Sequence, residues 1–169
     1  MKSVAEKYPG CKLVVVGEGP EKAPLQQQVQ QLGLSENVIF AGSIPNSELP
    51  AFYKAANIFV LPSIVDSKGD TEGLGVVLLE AIAAGAPVIA SNVGGIPDIV
   101  INKRTGLLVE QKSVEGLATA VMLLIEKPQL GRKLCAEAKK HVAANYSWET
   151  VSGKFFSVYQ SVVKYNRGQ

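Results

Sequence analysis

The chain has 169 residues, of which 47% are hydrophobic and 19% charged, with a formal net charge of +2. Such totals describe one globular domain, residues 1–169, long enough for a core of its own. They exclude nucleic acid as the expected partner, which wants a concentrated basic face. A lone His141 excludes a His-built metal centre, and Cys11 and Cys135, without a CxxC, read as buried or idle thiols.

Met1 to Gly10 reads as the end of a helix and a Tyr-Pro-Gly turn. No apolar leader run follows Met1-Lys2, so the expected location is the cytoplasm. Lys12–Gly17 is a Val-rich strand whose apolar run predicts burial on both faces. Gly17-Glu18-Gly19-Pro20 is a turn, and Lys22–Leu32 a helix ended by Gly33. By itself that turn is a weak piece of a dinucleotide fingerprint or simply a tight strand-to-helix loop. Asn37–Ala41 is the next strand, Gly42-Ser43-Ile44-Pro45 a turn, and Ser47 caps a helix over Glu48–Ala55. Ile58–Leu61 is a strand, ended by Pro62-Ser63 and followed by an irregular loop over Ile64–Asp70.

The stretch from Gly69 to Gly85 then passes from an acidic, small-residue loop into an almost wholly apolar helix. With Val76, Val77, Leu78, Leu79, Ala81, Ile82, Ala83 and Ala84 around it, the helix is expected to be buried on nearly all sides. Gly85 closes it and Pro87 forbids its continuation. Glu80 mid-run and this break argue against a membrane span across Gly73–Ala90. Val88–Ala90 is a strand, Gly94-Gly95 a turn into a short helix at Pro97–Val100, and Gly106–Val109 the last strand. Three helices follow over Ser113–Glu126, Pro128–Ala144 and Ser147–Tyr165, the last with Trp148, Phe155, Phe156, Tyr159 and Val162 on one face.

Strands alternating with helices predict an α/β, doubly wound parallel sheet of Rossmann type. Its ligands lie beyond the carboxyl ends of the strands, so the turns at Gly17, Gly42, Pro62 and Ser91 are expected on one edge with the Glu72 loop. Glu80 is either a carboxylate facing a strip of solvent or a structural Lys, or part of a site. The loop favours the site. Gly73 and Gly75 flank Leu74 where bare helix amides attract an anion, and Glu72 and Glu80 stand roughly 12 Å apart along the axis at 1.5 Å per residue. A sugar joined through a diphosphate to a ribose spans that distance.

Glu72-Gly73-Leu74-Gly75-Val76-Val77-Leu78-Leu79-Glu80 resembles the E-x7-E motif of the retaining, GT-B-fold glycosyltransferases of family 4 (group 1). Val14 to Pro20, Asn37 to Ser63, Gly85 to Val100 and Thr105 to Val109 resemble the blocks that accompany it, in the family's order. The resemblance implies the C-terminal, donor-binding half of a two-domain enzyme that transfers a sugar from a nucleoside diphosphate sugar, without a metal or other cofactor. Glu72 is then the catalytic-site carboxylate that meets the transferred sugar, and the backbone of Gly73, Leu74 and Gly75 lines it. Amides of Val76 and Val77 meet the diphosphate and Glu80 the ribose. Gly17, Gly19, Gly42, Ser43 and Ile44 surround the base. Leu74 stands where many relatives have Phe, which a backbone role tolerates.

Family members begin this domain with a strand and a loop carrying an Arg and a Lys, and by this resemblance the chain is expected to start after that first strand. The N-terminal, acceptor-binding domain is likewise expected to lie outside it. The chain alone is therefore expected to be inactive, with apolar surface open to self-association. Contact with a membrane surface belongs to the full-length enzyme with a lipid-linked acceptor. Two further readings remain: a stand-alone nucleotide-sugar binding module without transfer, and part of a GT-B sugar-nucleotide epimerase.

Overall fold

The computed structural model describes the backbone of residues 1–167 and the side chains of residues 1–163. Helix α1 (Lys2–Lys7) leads to strand β1 (Leu13–Val16), α2 (Lys22–Gln31), β2 (Val38–Gly42), α3 (Leu49–Ala55) and β3 (Phe59–Leu61). There follow α4 (Val76–Ala84), β4 (Val88–Ser91), α5 (Ile96–Ile99) and β5 (Leu107–Val109), then α6 (Val114–Glu126), α7 (Pro128–Tyr146) and α8 (Trp148–Arg167). Every expected element is present, with ends displaced by a residue or two. Ser113 caps α6 by accepting from the Gly116 amide. Ser47 does not cap α3: that helix starts one residue later, at Leu49 after Glu48, with Pro50 in its first turn.

All strand pairs are parallel, as the alternation predicts, but they form two sheets rather than one. β1 pairs with β2, Leu13 against Val38. β4 lies between β3 and β5, with Phe59 opposite Val88 and Ile89 opposite Leu107. In the doubly wound order 3-2-1-4-5-6 the first strand stands between the second and the fourth. The two sheets, β2-β1 and β3-β4-β5, keep such an order on either side of the division.

That division explains a second departure. β1 is not buried on both faces: Leu13, Val14 and Val16 are exposed, and so is Ile39 of β2. Only one face of the pair is covered, where Val15, Val38 and Phe40 pack with Ala5 of α1 and Leu34. The strand buried throughout is β4, with a neighbour on each edge and helices on both faces.

The main core forms around α4, β4 and α5. Leu78, Ala81, Ile82, Ile96, Ile99 and Val100 are completely buried. A second cluster packs β4 and β5 on α6 and α7 through Ile89, Leu107, Leu124 and Leu134. α1 joins β1–β2 to this body: Lys7 Nζ and Tyr8 Oη both donate to Glu126 Oε1 at the end of α6, at 2.6 and 2.7 Å. His141 is no idle surface group. Its Nε2 lies 3.0 Å from the Asp98 carbonyl, which also accepts from Tyr146 Oη at 2.8 Å, so α7 holds α5 through one acceptor. The apolar stripe of α8, from Trp148 to Val163, is exposed. Among the described residues no helix is long and apolar enough to cross a membrane.

Candidate functional site

The carboxyl ends of the strands carry the loops that the sequence singles out, but in two groups. The first is built on β1–β2. Val16 pairs with Gly42, and the Gly17 amide donates to the Gly42 carbonyl at 2.8 Å, which aligns the two turns. Gly17 and Gly42 have φ of 118° and 72°, a region that L side chains avoid. A Cβ on Gly42 would also stand 2.9 Å from Glu18 Oε1, whereas one on Gly17 or Gly19 would meet open space. Ser43 is exposed and Ile44 half-buried beside them.

The second group is the loop from Pro62 to Gly75 and the start of α4. The loop is ordered by Asp66, whose Oδ1 accepts from the amides of Lys68 (2.7 Å) and Asp70 (2.9 Å) while its own amide donates to the Asp70 carbonyl. A short polar side chain that bonds its own backbone two residues on is the usual maker of such a turn. Gln111, after β5, holds the loop from the other side by accepting from the Val65 amide at 2.8 Å.

Helix α4 differs from the expected all-round burial. Leu78, Ala81 and Ile82 face the core, but Val76, at 56% exposed, forms an open stripe with Glu80 and Ala83. Those positions are four and seven residues apart, one face of a helix. Glu80 therefore faces solvent, one of the alternatives the sequence leaves open, and its partner is not a lysine. Tyr53 Oη donates to Glu80 Oε2 at 2.7 Å.

At the helix start Gly75 has φ of 76° and makes no side-chain cap. A Cβ there would crowd Leu78 and Leu61, so this glycine is fixed by conformation and packing. At Gly73 a Cβ would meet nothing, which leaves that backbone open to a ligand. Glu72 Oε1 accepts from the Gly75 amide at 3.2 Å. The carboxylate is folded against the helix start, and the first-turn amides beyond it, those of Val76 and Val77, have no partner one turn back within the helix. Glu72 thus lies at the start of α4, bonded to its N-cap amide, and Glu80 lies on the open stripe at the fifth residue of the helix, beyond the first-turn amides.

Two glycines of the β4–α5 turn complete this group, and their role is not readable from the turn itself. The Gly95 amide donates to the carbonyl of Gly73 at 3.0 Å. A Cβ on Gly94 would lie 2.0 Å from the Glu72 carbonyl oxygen, and one on Gly95 would lie 2.1 Å from that of Gly73. Backbone rests directly on backbone.

Lys103 and Arg104 are placed away from this edge. They sit in the turn that precedes β5, at the amino ends of the strands. Among the described residues no three His, Cys, Asp or Glu side chains are grouped as a metal site.

The model of the family described as "Glycosyl transferases group 1" matches residues 1–141. A GDP-mannose-dependent alpha-(1-6)-phosphatidylinositol monomannoside mannosyltransferase of Mycobacterium tuberculosis is 37% identical over 155 residues, 91% of this chain and 40% of that protein. The glycogen synthase of the same organism is 33% identical over 152 residues, 90% of this chain and 35% of that protein. Among solved structures, sucrose-phosphate synthase from Thermosynechococcus elongatus superposes with a TM-score of 0.81 at 30% identity, over 96% of this chain and 41% of that one. The C-terminal domain of a glycosyl transferase group 1 family protein from Francisella tularensis gives 0.76 at 33% identity, over 87% and 75%. This chain spans about two fifths of the length of the curated relatives it matches. Parallel strands, the glycine-braced loop before α4 and this match over most of its length agree: the chain belongs to the group 1 glycosyltransferases and has the fold of the C-terminal part of a GT-B enzyme.

Proposed function

We propose that this chain is the donor-binding half of a retaining glycosyltransferase and that the nucleoside diphosphate sugar lies along the start of α4. The observation that carries this reading is the disposition of Glu72 and Glu80 about an open helix N-terminus. The transferred sugar meets Glu72 and the bare backbone of Gly73 to Gly75. The diphosphate meets the amides of Val76 and Val77, where the helix supplies about half a positive charge. Glu80, on the same exposed stripe, accepts from the ribose hydroxyls, and the base lies toward the paired turns at Gly17–Gly19 and Gly42–Ile44.

Departure of a diphosphate needs more positive charge than a helix end gives. Lys103 and Arg104, at the opposite edge, do not supply it. In the complete enzyme that charge and the acceptor site lie outside this chain. The acceptor hydroxyl then enters from the face that the nucleoside diphosphate leaves, and the anomeric configuration is retained. The two carboxylates and the helix amides need no metal. The proposed setting is the cytoplasm.

Calorimetric titration tests the reading. GDP and GDP-mannose come first, since a relative 37% identical is named for GDP-mannose, with UDP, ADP and their sugars alongside. A lost bond to a charged group costs about 1.5–3 kcal/mol, on the order of 10- to 100-fold in affinity. Glu80→Ala is expected to weaken the nucleotide and its sugar alike by that factor. Glu72→Ala should weaken the nucleotide sugar more than the free nucleotide. Equal losses for both ligands in both variants would sink the assignment.

A further inference from the structure

Glu80 is exposed, yet one of its oxygens is bonded to a side chain that is not. Tyr53, near the end of α3, is 9% exposed and packs in the main core with Leu78, Ala81 and Ile82. Its ring meets Phe59 of β3 edge to face, with centroids 5.5 Å apart and planes at 66°. Its hydroxyl donates to Glu80 Oε2 at 2.7 Å. Burial and, after it, the Glu80 bond push the Tyr53 phenol up to about 12, so the hydroxyl keeps its proton, and its role as donor, across the physiological range.

A glutamate on an open helix face has free rotamers, and ordering such a side chain costs up to about 2 kcal/mol. A ligand that used Glu80 would bear that cost on binding unless the carboxylate were already fixed. The ring of Tyr53 is locked by its neighbours, so its hydroxyl is a fixed point. The bond to Oε2 selects one Glu80 rotamer and leaves Oε1 for another donor.

The geometry points to Tyr53 as a positioning residue that sets the Glu80 carboxylate for the vicinal hydroxyls of the donor ribose and so governs discrimination of ribose from sugars lacking them. This rests on the reading of Glu80 given under the proposed function. Tyr53 touches no ligand; it acts through Glu80. The step is one of binding, and no bond is made or broken.

The test compares GDP with 2′,3′-dideoxy-GDP on the whole chain by calorimetry, using UDP and its dideoxy form if UDP binds the tighter. The wild-type chain is expected to favour the ribonucleotide by about 10-fold or more, since the hydroxyls bond a charged acceptor. Tyr53→Phe keeps the ring and its packing. It should lower the preference to about 2- to 3-fold with the dideoxy affinity within about 2-fold of wild type, because only the ordering of Glu80 changes. A merely structural tyrosine would lower both affinities together, and that result overturns the inference. Glu80→Ala separates the two readings. If it abolishes the preference and Tyr53→Phe leaves it whole, Tyr53 is not a positioning residue and the ribose assignment stands. If Glu80→Ala leaves the preference whole, the ribose assignment falls and the inference with it, as both do if the wild-type chain binds neither nucleotide.

A second measurement needs no ligand. The Tyr53 phenol should titrate above an ordinary tyrosine in the wild type and lower in Glu80→Ala, which removes the acceptor. The same midpoint in both proteins would overturn the bond on which the inference stands.

Discussion

The Gly95 amide donates to the Gly73 carbonyl at 3.0 Å across the carboxyl edge of the sheet, so the turn after β4 sets the height of the loop before α4. Neither glycine of that turn has room for a side chain. A Cβ at 2.0 Å from the Glu72 carbonyl oxygen or 2.1 Å from that of Gly73 meets backbone, which cannot rotate away. Gly94 has in addition a φ of 54°.

Gly94→Ala and Gly95→Ala should therefore push the loop outward while leaving the sheet intact. Overpacking of this kind costs about 1–3 kcal/mol, occasionally more, at each site. The expected outcome is a thermal midpoint lowered by several degrees and a nucleotide-sugar affinity lowered about 10-fold or more, a loss of about 1.4 kcal/mol. Gly19→Ala, where a Cβ meets open space, should change the midpoint little. Melting curves and titration of the three variants check this. Wild-type affinity in Gly94→Ala would show that the loop does not depend on the brace.

These relationships mark what the sequence does and does not make legible. Element order and type follow from local signals. Gly85 takes φ of 99° and the Ala86 amide donates back to the Ala81 carbonyl, the closure that Gly85 and Pro87 predict. Ser113 caps its helix as its position implies. Exposure is not local. An apolar run such as Leu13–Val16 has the same composition whether one face or two are covered, and β1 proves to be covered on one. The same holds for Val76 and Ala83 of α4, exposed beside Glu80. Tyr53 and Glu80 lie 27 positions apart, and no periodicity joins them. The available signal was chemical: a tyrosine on a buried helix face requires a partner for its hydroxyl. Asp66 carried a local signal too, a short carboxylate two residues before a Lys-Gly pair. Gly94 and Gly95 are legible as a turn, but what they rest on is a matter of tertiary contact.

The two thiols should differ sharply in reactivity. Cys135, on α7, is buried, and that burial raises its thiol above the ordinary range while Lys139 opposes the shift weakly. Thiolate is the reactive form. Cys11, half-buried in the turn before β1, is more accessible. Native protein treated with a maleimide at neutral pH should take up one equivalent quickly at Cys11 and a second only slowly or on unfolding. Peptide mapping locates the label; comparable rates at both positions would contradict the packing of α7 on α4 and α6.

The tie between Glu126 and α1 should make the outer strand pair sensitive to pH while the rest of the molecule is not. Lys7 and then Tyr8 bond the Glu126 carboxylate and hold it below its ordinary range, while Glu126 in turn raises Lys7 and Tyr8. For a lowered carboxylate the stabilisation is present above the unfolded value, 4.5, and is lost as pH falls through the folded one. For a raised lysine or tyrosine it is present below the unfolded values, 10.5 and 10.0, and is lost as pH rises beyond them. Lys7 and Glu126 are exposed and Tyr8 is half-buried at the surface, so global stability should barely move. Local opening is another matter, because α1 packs on α6 and this contact links β1–β2 to the body. Hydrogen exchange, corrected for its intrinsic pH dependence, should show amides of β1 and β2 protected evenly between about pH 5 and 9.5 and less so outside that window. Amides of β4 should keep their protection throughout. Glu126→Gln should flatten the acid arm, since glutamine does not titrate. An acid arm that persists in that variant would assign the opening to other carboxylates.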